Sequence, residues 1–295
     1  MATATLQYKL LKKIKDDRFD EEQIHQYKLL LNIGSRDLQT CVIDSKDNRV
    51  LLMEDYIFPT FVPQDEMVPL FDQLFDNHPV LNAGFWGQIK IGFKNQKFIQ
   101  VPSALYVEDA KEEYLQFNAN LKLEKEKVFQ VLNERSDAIS VFSVPTSLVD
   151  WFNHHYPNNP PVFIHQSAAL IEGAMQYAST QKGNPLFIYI DRFKLHIISC
   201  KDGKLIYYNQ FVIKQFSDYV KYIMLVFKSL QIDQQSSKVI LWGYIGKNSP
   251  HFQEFYKYIQ NVTFGDRPNY LQFGYLFDEI QDHHYFDLLS LYLIG

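Results

Sequence analysis

The chain has 295 residues, enough for two separate cores, and its 46% hydrophobic and 21% charged content is that of an ordinary folded protein. A formal net charge of −5 with scattered Lys and Arg excludes the basic footprint of a nucleic-acid binder. No run approaches the roughly 20 apolar residues of a membrane span, so an integral membrane protein is not expected, and no leader pattern opens the chain, so a cytoplasmic protein is.

Residues 1 to 27 read as a strand and a loop, with the basic run Lys9–Lys15 on a solvated face. From Leu29 to Leu52 an apolar strand, a polar turn, a second apolar strand, a tight turn at Asp47-Asn48 and a third strand follow, the signature of a hairpin ladder. Pro63 to Asn77 has helical spacing with Met67, Leu70, Phe71 and Leu74 on one face. Ile89–Phe93 and Lys97–Val101 read as an antiparallel pair around Asn95, and a helix from Val107 to Phe117 comes after Pro102. Ala138–Val144 is a strand, Thr146 the expected N-cap of a helix Ser147–His155, and Tyr156–Pro161 a loop. After the short strand Val162–Ile164, the Ala-rich Gln166–Ala178 is expected as a buried helix.

Leu186 to Tyr208 then repeats the first ladder, with Asp202-Gly203 in the tight turn. A helix Gln215–Leu230 with Phe216, Val220, Ile223, Met224 and Phe227 inward, a buried strand Val239–Gly243, a helix Pro250–Ile259 and a final apolar helix His284–Ile294 complete the chain. Cys41 and Cys200 fall at corresponding places in the two ladders and are expected as buried free thiols, one in each half. A ladder written twice implies two copies of one lobe, an arrangement that usually faces a ligand cleft.

This order of elements resembles the actin-like ATPase superfamily, and within it the pilus-assembly PilM and cell-division FtsA branches. The resemblance rests on Val141–Trp151 as a strand-Pro-helix element, Ser167–Ala174 as the Ala-rich helix joining the lobes, and Val239–Gly243 with Ser249-Pro250 as an adenosine motif. Val101-Pro102, Tyr114–Asn118 and Leu205–Asn209 also resemble the DUF3822 family, which supplies no activity. The resemblance implies an α/β, two-lobed actin-like fold, a duplicated ribonuclease-H-like unit with mixed sheets flanked by helices. The lobes are expected at residues 1–165 and 166–295.

ATP-using members of the superfamily place an Asp before Ile-Gly at each hairpin, the acid organising magnesium and the glycine admitting phosphate to the backbone. Here Asn32 replaces the first Asp, while Gly34 and Ser35 remain beside Arg36. In the second copy Tyr189 stands where the Asp belongs, and Asp191, next to Arg192, stands at the glycine position. A carboxylate about 4 Å from a phosphate oxygen costs on the order of 4 kcal/mol at an effective dielectric near 20. That is roughly a thousandfold in affinity. Gly243 of the adenosine motif persists, but Tyr244 occupies the place of a second glycine.

Other readings of these residues stand beside that one: Asn32 as a turn residue, Tyr189 and Tyr244 as packing, Arg36–Asp37 and Asp191–Arg192 as charged hairpin tips. His165 and Ser167 read as a loop-edge pair without catalytic promise. No metal-ligand spacing or nucleophile motif is present. The expectation is a pseudo-ATPase with no catalytic residues, no cofactor and no bound nucleotide, acting through an unidentified protein partner or self-association. Phe85 and Trp86 are the candidate partner-binding residues, because 24 Phe, 19 Tyr and 3 Trp exceed ordinary usage and aromatics anchor interfaces. The alternative is an ATP-binding switch or kinase with atypical phosphate and metal ligands.

Overall fold

The computed structural model describes residues 8–295 and, of Phe216, the backbone alone; what was expected of residues 1–7 and of the Phe216 side chain lies outside the described residues. Strands β1 (Lys9–Lys15), β2 (Tyr27–Ile33), β3 (Asp37–Asp44) and β4 (Arg49–Ile57) precede helix α1 (Val68–Asp76). Next come β5 (Gln88–Phe93), β6 (Phe98–Pro102), α2 (Lys111–Gln116), β7 (Glu126–Asn133), β8 (Ala138–Pro145), α3 (Thr146–His155), β9 (Val162–His165) and α4 (Gln166–Ala178). The remainder is β10 (Leu186–Ile190), β11 (Lys194–Lys201), β12 (Lys204–Val212), α5 (Phe216–Ser229), β13 (Val239–Gly243), α6 (Pro250–Tyr256), β14 (Val262–Phe264), β15 (Gln272–Phe273) and α7 (Phe286–Ser290).

Two compact units result, and a single cut does not separate them. The first takes the chain up to Ala169 plus Asn269–Glu279 and Asp287–Gly295; the second takes Leu170–Pro268 and Ile280–Phe286. The boundary expected after residue 165 therefore lies inside α4, and two C-terminal segments return to the first unit. What draws them back is burial: β15 adds to β4 in parallel, and Leu288, Leu289 and Leu291 are among the most buried residues of the chain.

The duplication is explicit in the ladders. Among the described residues the first unit orders its main sheet β1-β4-β3-β2-β5-β9, with β15 on β4, and the second orders its own β12-β11-β10-β13-β14. In each, the first hairpin strand pairs antiparallel with the second, the second antiparallel with the third, and the first parallel with a later strand. Even the irregularities match: a bulge falls at Val42/Ile43 and another at Ser199/Cys200. Alternation decides the faces of the second sheet. Leu186, Ile188 and Ile190 pack with Ile223, Val226 and Phe227 of α5, while Phe187 and Tyr189 pack with Leu170, Ala174 and Trp242.

Four expectations are corrected. Ile89–Phe93 and the strand after Asn95 are not a pair: β5 lies parallel between β2 and β9, and β6 joins β8 and β7 in a separate three-stranded sheet. Asn95 explains the divergence, since its Oδ1 accepts from the Lys97 backbone N–H at 2.8 Å and its Nδ2 donates to the Ser143 carbonyl at 2.9 Å. The first bond closes the turn locally and the second ties it to β8. Pro145, not Thr146, occupies the N-cap of α3, where a missing N–H is harmless. The final helix starts only at Phe286, because Tyr285 has φ 58° and a left-handed residue cannot sit inside a right-handed helix.

The fourth concerns the cysteines. Both are buried and free. Asn32 pairs with Gln39 as Tyr189 pairs with His196, so Cys41 corresponds to Ile198 and Cys200 to Ile43, two residues apart on the same face. The β3–β4 and β11–β12 turns differ in length, and counting from turn to turn slides one copy along the other.

One buried charge in the first unit makes stability depend on pH. The Lys90 ammonium donates to the carbonyls of Tyr292 (3.1 Å) and Ile294. Burial, with a smaller contribution from Lys28, lowers its pKa from 10.5 to about 8. A base whose folded pKa lies below its unfolded value is penalised while charged, so stability rises with pH between those two values. Relative to Lys90→Met, which shares every other titrating group, the native chain should gain about 2 kcal/mol between roughly pH 7 and pH 9.5 in urea titrations. Parallel pH profiles of the two would contradict this.

Candidate functional site

Each copy of the hairpin builds a polar half-site within its own unit. In the first, β2 delivers Asn32 and the turn delivers Gly34, Ser35 and Arg36. Gly34 is buried, Ser35 half-buried and Arg36 exposed. The carbonyls of Ser35 and Arg36 accept from the backbone N–H groups of Val62 and Phe58, both at 2.8 Å, which fixes the turn. Asp37 is not part of an exposed charged tip; it is buried, and its carboxylate lies over Gly34. A Cβ on Gly34 would meet Asp37 Oδ1 at 2.1 Å.

The centre of this half-site is Lys94, at the end of β5. Its side chain is 2% exposed, and its ammonium donates to Asp37 Oδ2 at 3.0 Å and Gln39 Oε1 at 3.3 Å, with Asp287 Oδ2 at 3.6 Å. Asp287, on the segment that returns to this unit, also accepts from Asn32 Nδ2 and Gln166 Nε2, both at 2.7 Å. The single buried ammonium lies against two buried carboxylates and offsets one of their two charges with a cation of the chain's own. Asn32 Oδ1 is buried without a hydrogen-bond partner. Among the described residues no three His, Cys, Asp or Glu side chains gather as metal ligands. With Lys94 on Asp37 and within 4 Å of Asp287, these residues do not fit a divalent ion.

In the second half-site the Asp191 backbone N–H donates to the Lys194 carbonyl at 2.9 Å, as that of Gly34 does to Asp37 at 2.8 Å. Asp191 thus stands at the glycine position, as counted from the sequence, and it is buried at 4% exposure instead of forming an exposed tip. Its Oδ1 accepts from the Arg192 backbone N–H at 2.7 Å, taking a donor of the kind a phosphate takes. Tyr189 is fully buried and packs edge-on against His196 at 5.8 Å.

The end of β13 is equally self-satisfied. Gly243 has φ 99°, and a Cβ there would lie 2.0 Å from the Ile190 carbonyl oxygen. Its N–H donates to the His283 carbonyl, and that of Tyr244 to the Ile190 carbonyl, both at 2.8 Å. The Arg192 guanidinium sits 4.4 Å over the Tyr244 ring, and His284 packs on the same ring at 5.7 Å. Burial, then His283 and Arg192, lowers the His284 pKa to about 4, so at neutral pH its imidazole is uncharged beside that guanidinium.

His165 is buried, not at a loop edge. Its Nδ1 lies 2.7 Å from Ser167 Oγ and also accepts the Ser167 backbone N–H, so it pins the start of α4 and offers no free base. Of the candidate partner residues, Phe85 is 72% exposed, but Trp86 is 3% exposed and belongs to the core, so it presents no surface. Sequence reasoning missed Lys94 and Asp287. The available signal was a lysine ending an apolar strand and a lone acid in an apolar terminal helix.

A duplicated ladder of this topology, with a hairpin half-site in each copy, defines the actin-like ATPase fold. A Bacteroides thetaiotaomicron protein with that fold and unknown function is 17% identical over 94% of this chain and 99% of its own, with a TM-score of 0.78. A PilM–PilN type IV pilus biogenesis complex matches with 11% identity, 90% and 97% coverage and a TM-score of 0.63. At such identities the likeness shows the fold alone. The chain belongs to DUF3822, a family of proteins of unknown function, whose model matches residues 16–262. None of the curated proteins matches it. Among the described residues no helix is long and apolar enough to cross a membrane.

Proposed function

We propose that this protein is a catalytically silent member of the actin-like fold that works as a scaffold for another protein and no longer uses ATP. The observation that carries the reading is the Lys94 ammonium held among Asp37, Gln39 and Asp287, a cation supplied by the chain where relatives that use ATP call for an external one. Asp191 and Tyr189 support it from the second unit, where a carboxylate occupies one backbone donor and an aromatic ring replaces the acid. The interaction role draws on exposed apolar side chains. Phe117 is 87% exposed, and Phe85, Leu105, Val107 and Leu123 are also exposed. Four of these five lie on one stretch around α2, and such clusters mark protein contacts. A partner complex on the same fold has a precedent in PilM–PilN.

Melting in the presence and absence of millimolar magnesium-ATP tests the first half. The expected result is no shift, whereas a ligand at a hundred times its dissociation constant would stabilise by about 2.7 kcal/mol. A clear upward shift would favour the other reading, an ATP-binding switch with atypical ligands; the unpartnered Asn32 Oδ1 is the observation on its side. Capture from native lysate tests the scaffold half, which predicts a stoichiometric protein partner or self-association and is contradicted by neither appearing.

A further inference from the structure

The first unit holds a second, unrelated polar recess. It lies where β2, β5 and β9 begin, whereas Gly34 and Lys94 lie where β2 and β5 end, about 20 Å away along β2 at strand rise. Its volume is 590 Å3, within the range of small-molecule sites, and its lining includes His25, Lys28, Lys46, Gln88 and Asn159 but no acid. Three neighbouring segments bring the basic groups together: the turn before β2, β2 itself and the turn after β3.

Lys28 is the telling residue. It is half-buried, its ammonium sits 4.4 Å over the Tyr292 ring, and among the described residues no carboxylate pairs with it. Burial alone lowers its pKa, with no acid opposing. Asp44, two residues before Lys46, accepts the Lys46 backbone N–H at 2.9 Å and is committed to that turn. Asn159 is held in place by donating to the carbonyls of Trp86 and Gly87 at 3.0 and 2.8 Å. Gly87 is itself required, since a Cβ there would meet the His25 carbonyl at 2.8 Å, so the rim is built on tight backbone contact.

We propose that this recess binds a small molecule through an anionic end, a phosphate or a carboxylate, held by the ammonium groups of Lys28 and Lys46 with His25 and Gln88 at its edge. The recess is larger than the anion alone, so the group is one end of a bigger ligand. The site is independent of the hairpin half-sites and needs neither magnesium nor nucleotide.

Calorimetric titration of the full chain with magnesium-free pyrophosphate and, separately, with succinate tests it. The expected result is saturable one-to-one binding of at least one probe, weakened about tenfold by Lys28→Gln and by Lys46→Gln, the scale of one charge-assisted hydrogen bond. Lys182→Gln, an exposed lysine of the second unit, should leave it unchanged. Pyrophosphate binding assigns a phosphorylated ligand and succinate binding a carboxylate. Reductive methylation of the native chain needs no variant: the bound probe should protect Lys28 and Lys46 and leave Lys182 labelled. No saturable binding of either probe, or binding that ignores both substitutions and protects neither lysine, overturns the assignment.

Discussion

Lys94→Met should destabilise the first unit by about 3–5 kcal/mol, the cost of removing one partner from a buried ion pair. The Asp37 and Asp287 side chains are 4% and 0% exposed, so neither regains water when the ammonium goes. Asp287 keeps the amides of Asn32 and Gln166, but these are neutral donors and do not replace a charge. Methionine fills the space well, which separates the electrostatic loss from a cavity effect. Adding Asp37→Asn should recover part of the loss, because it removes one of the two stranded charges. Hydrogen exchange resolved by segment gives the readout, with β2, β3 and β5 losing protection and β10–β13 unchanged. A change below about 1 kcal/mol, the worth of an exposed ion pair, would contradict this.

Gly243→Ala should be at least as severe in the second unit, on the order of 4 kcal/mol. Two costs combine. The residue sits at φ 99°, where an L side chain is strained by about 1–3 kcal/mol. The new methyl would also lie 2.0 Å from the Ile190 oxygen, a backbone atom that cannot swing aside, and overpacking adds about 1–3 kcal/mol more. Relief would require breaking the Tyr244 N–H to Ile190 O bond that joins β10 to the turn. This glycine is demanded by the protein's own packing, so its presence after β13 is no sign of nucleotide use. Exchange of β10 and β13 amides reports the effect, and wild-type protection in the variant would refute it.

The duplicated ladder was legible because it is written in local terms: alternation, turn residues and strand length all repeat. The pairings of the first two strands in each copy set Tyr189 opposite His196 as Asn32 lies opposite Gln39, a register that counting from the later turns does not give. What escaped was long-range. Lys94 meets Asp37 and Asp287 across 57 and 193 residues, and no spacing rule relates them. The pairing of β5 was misread because an apolar strand beside another, with Asn95 between them, looks like a hairpin; only the bonds from Asn95 to Lys97 and Ser143 show that the turn changes sheets. Strand β7 gave too little signal, being mostly half-exposed on both faces. Trp86 and Phe85 are adjacent in sequence, yet one lies in the core and the other in solvent, a difference that composition cannot carry.

The claim beneath this account is that the protein has internalised its own cation at the first hairpin. Crystals grown with millimolar manganese and a non-hydrolysable ATP analogue examine that directly, because anomalous scattering locates manganese without reference to any expected site. The predicted map has no manganese peak near Asn32 and Gly34, and Lys94 Nζ remains bonded to Asp37 with Asp287 close by. A manganese peak bound by Asp37 or Asp287, with the lysine displaced and phosphates against Gly34, would contradict it.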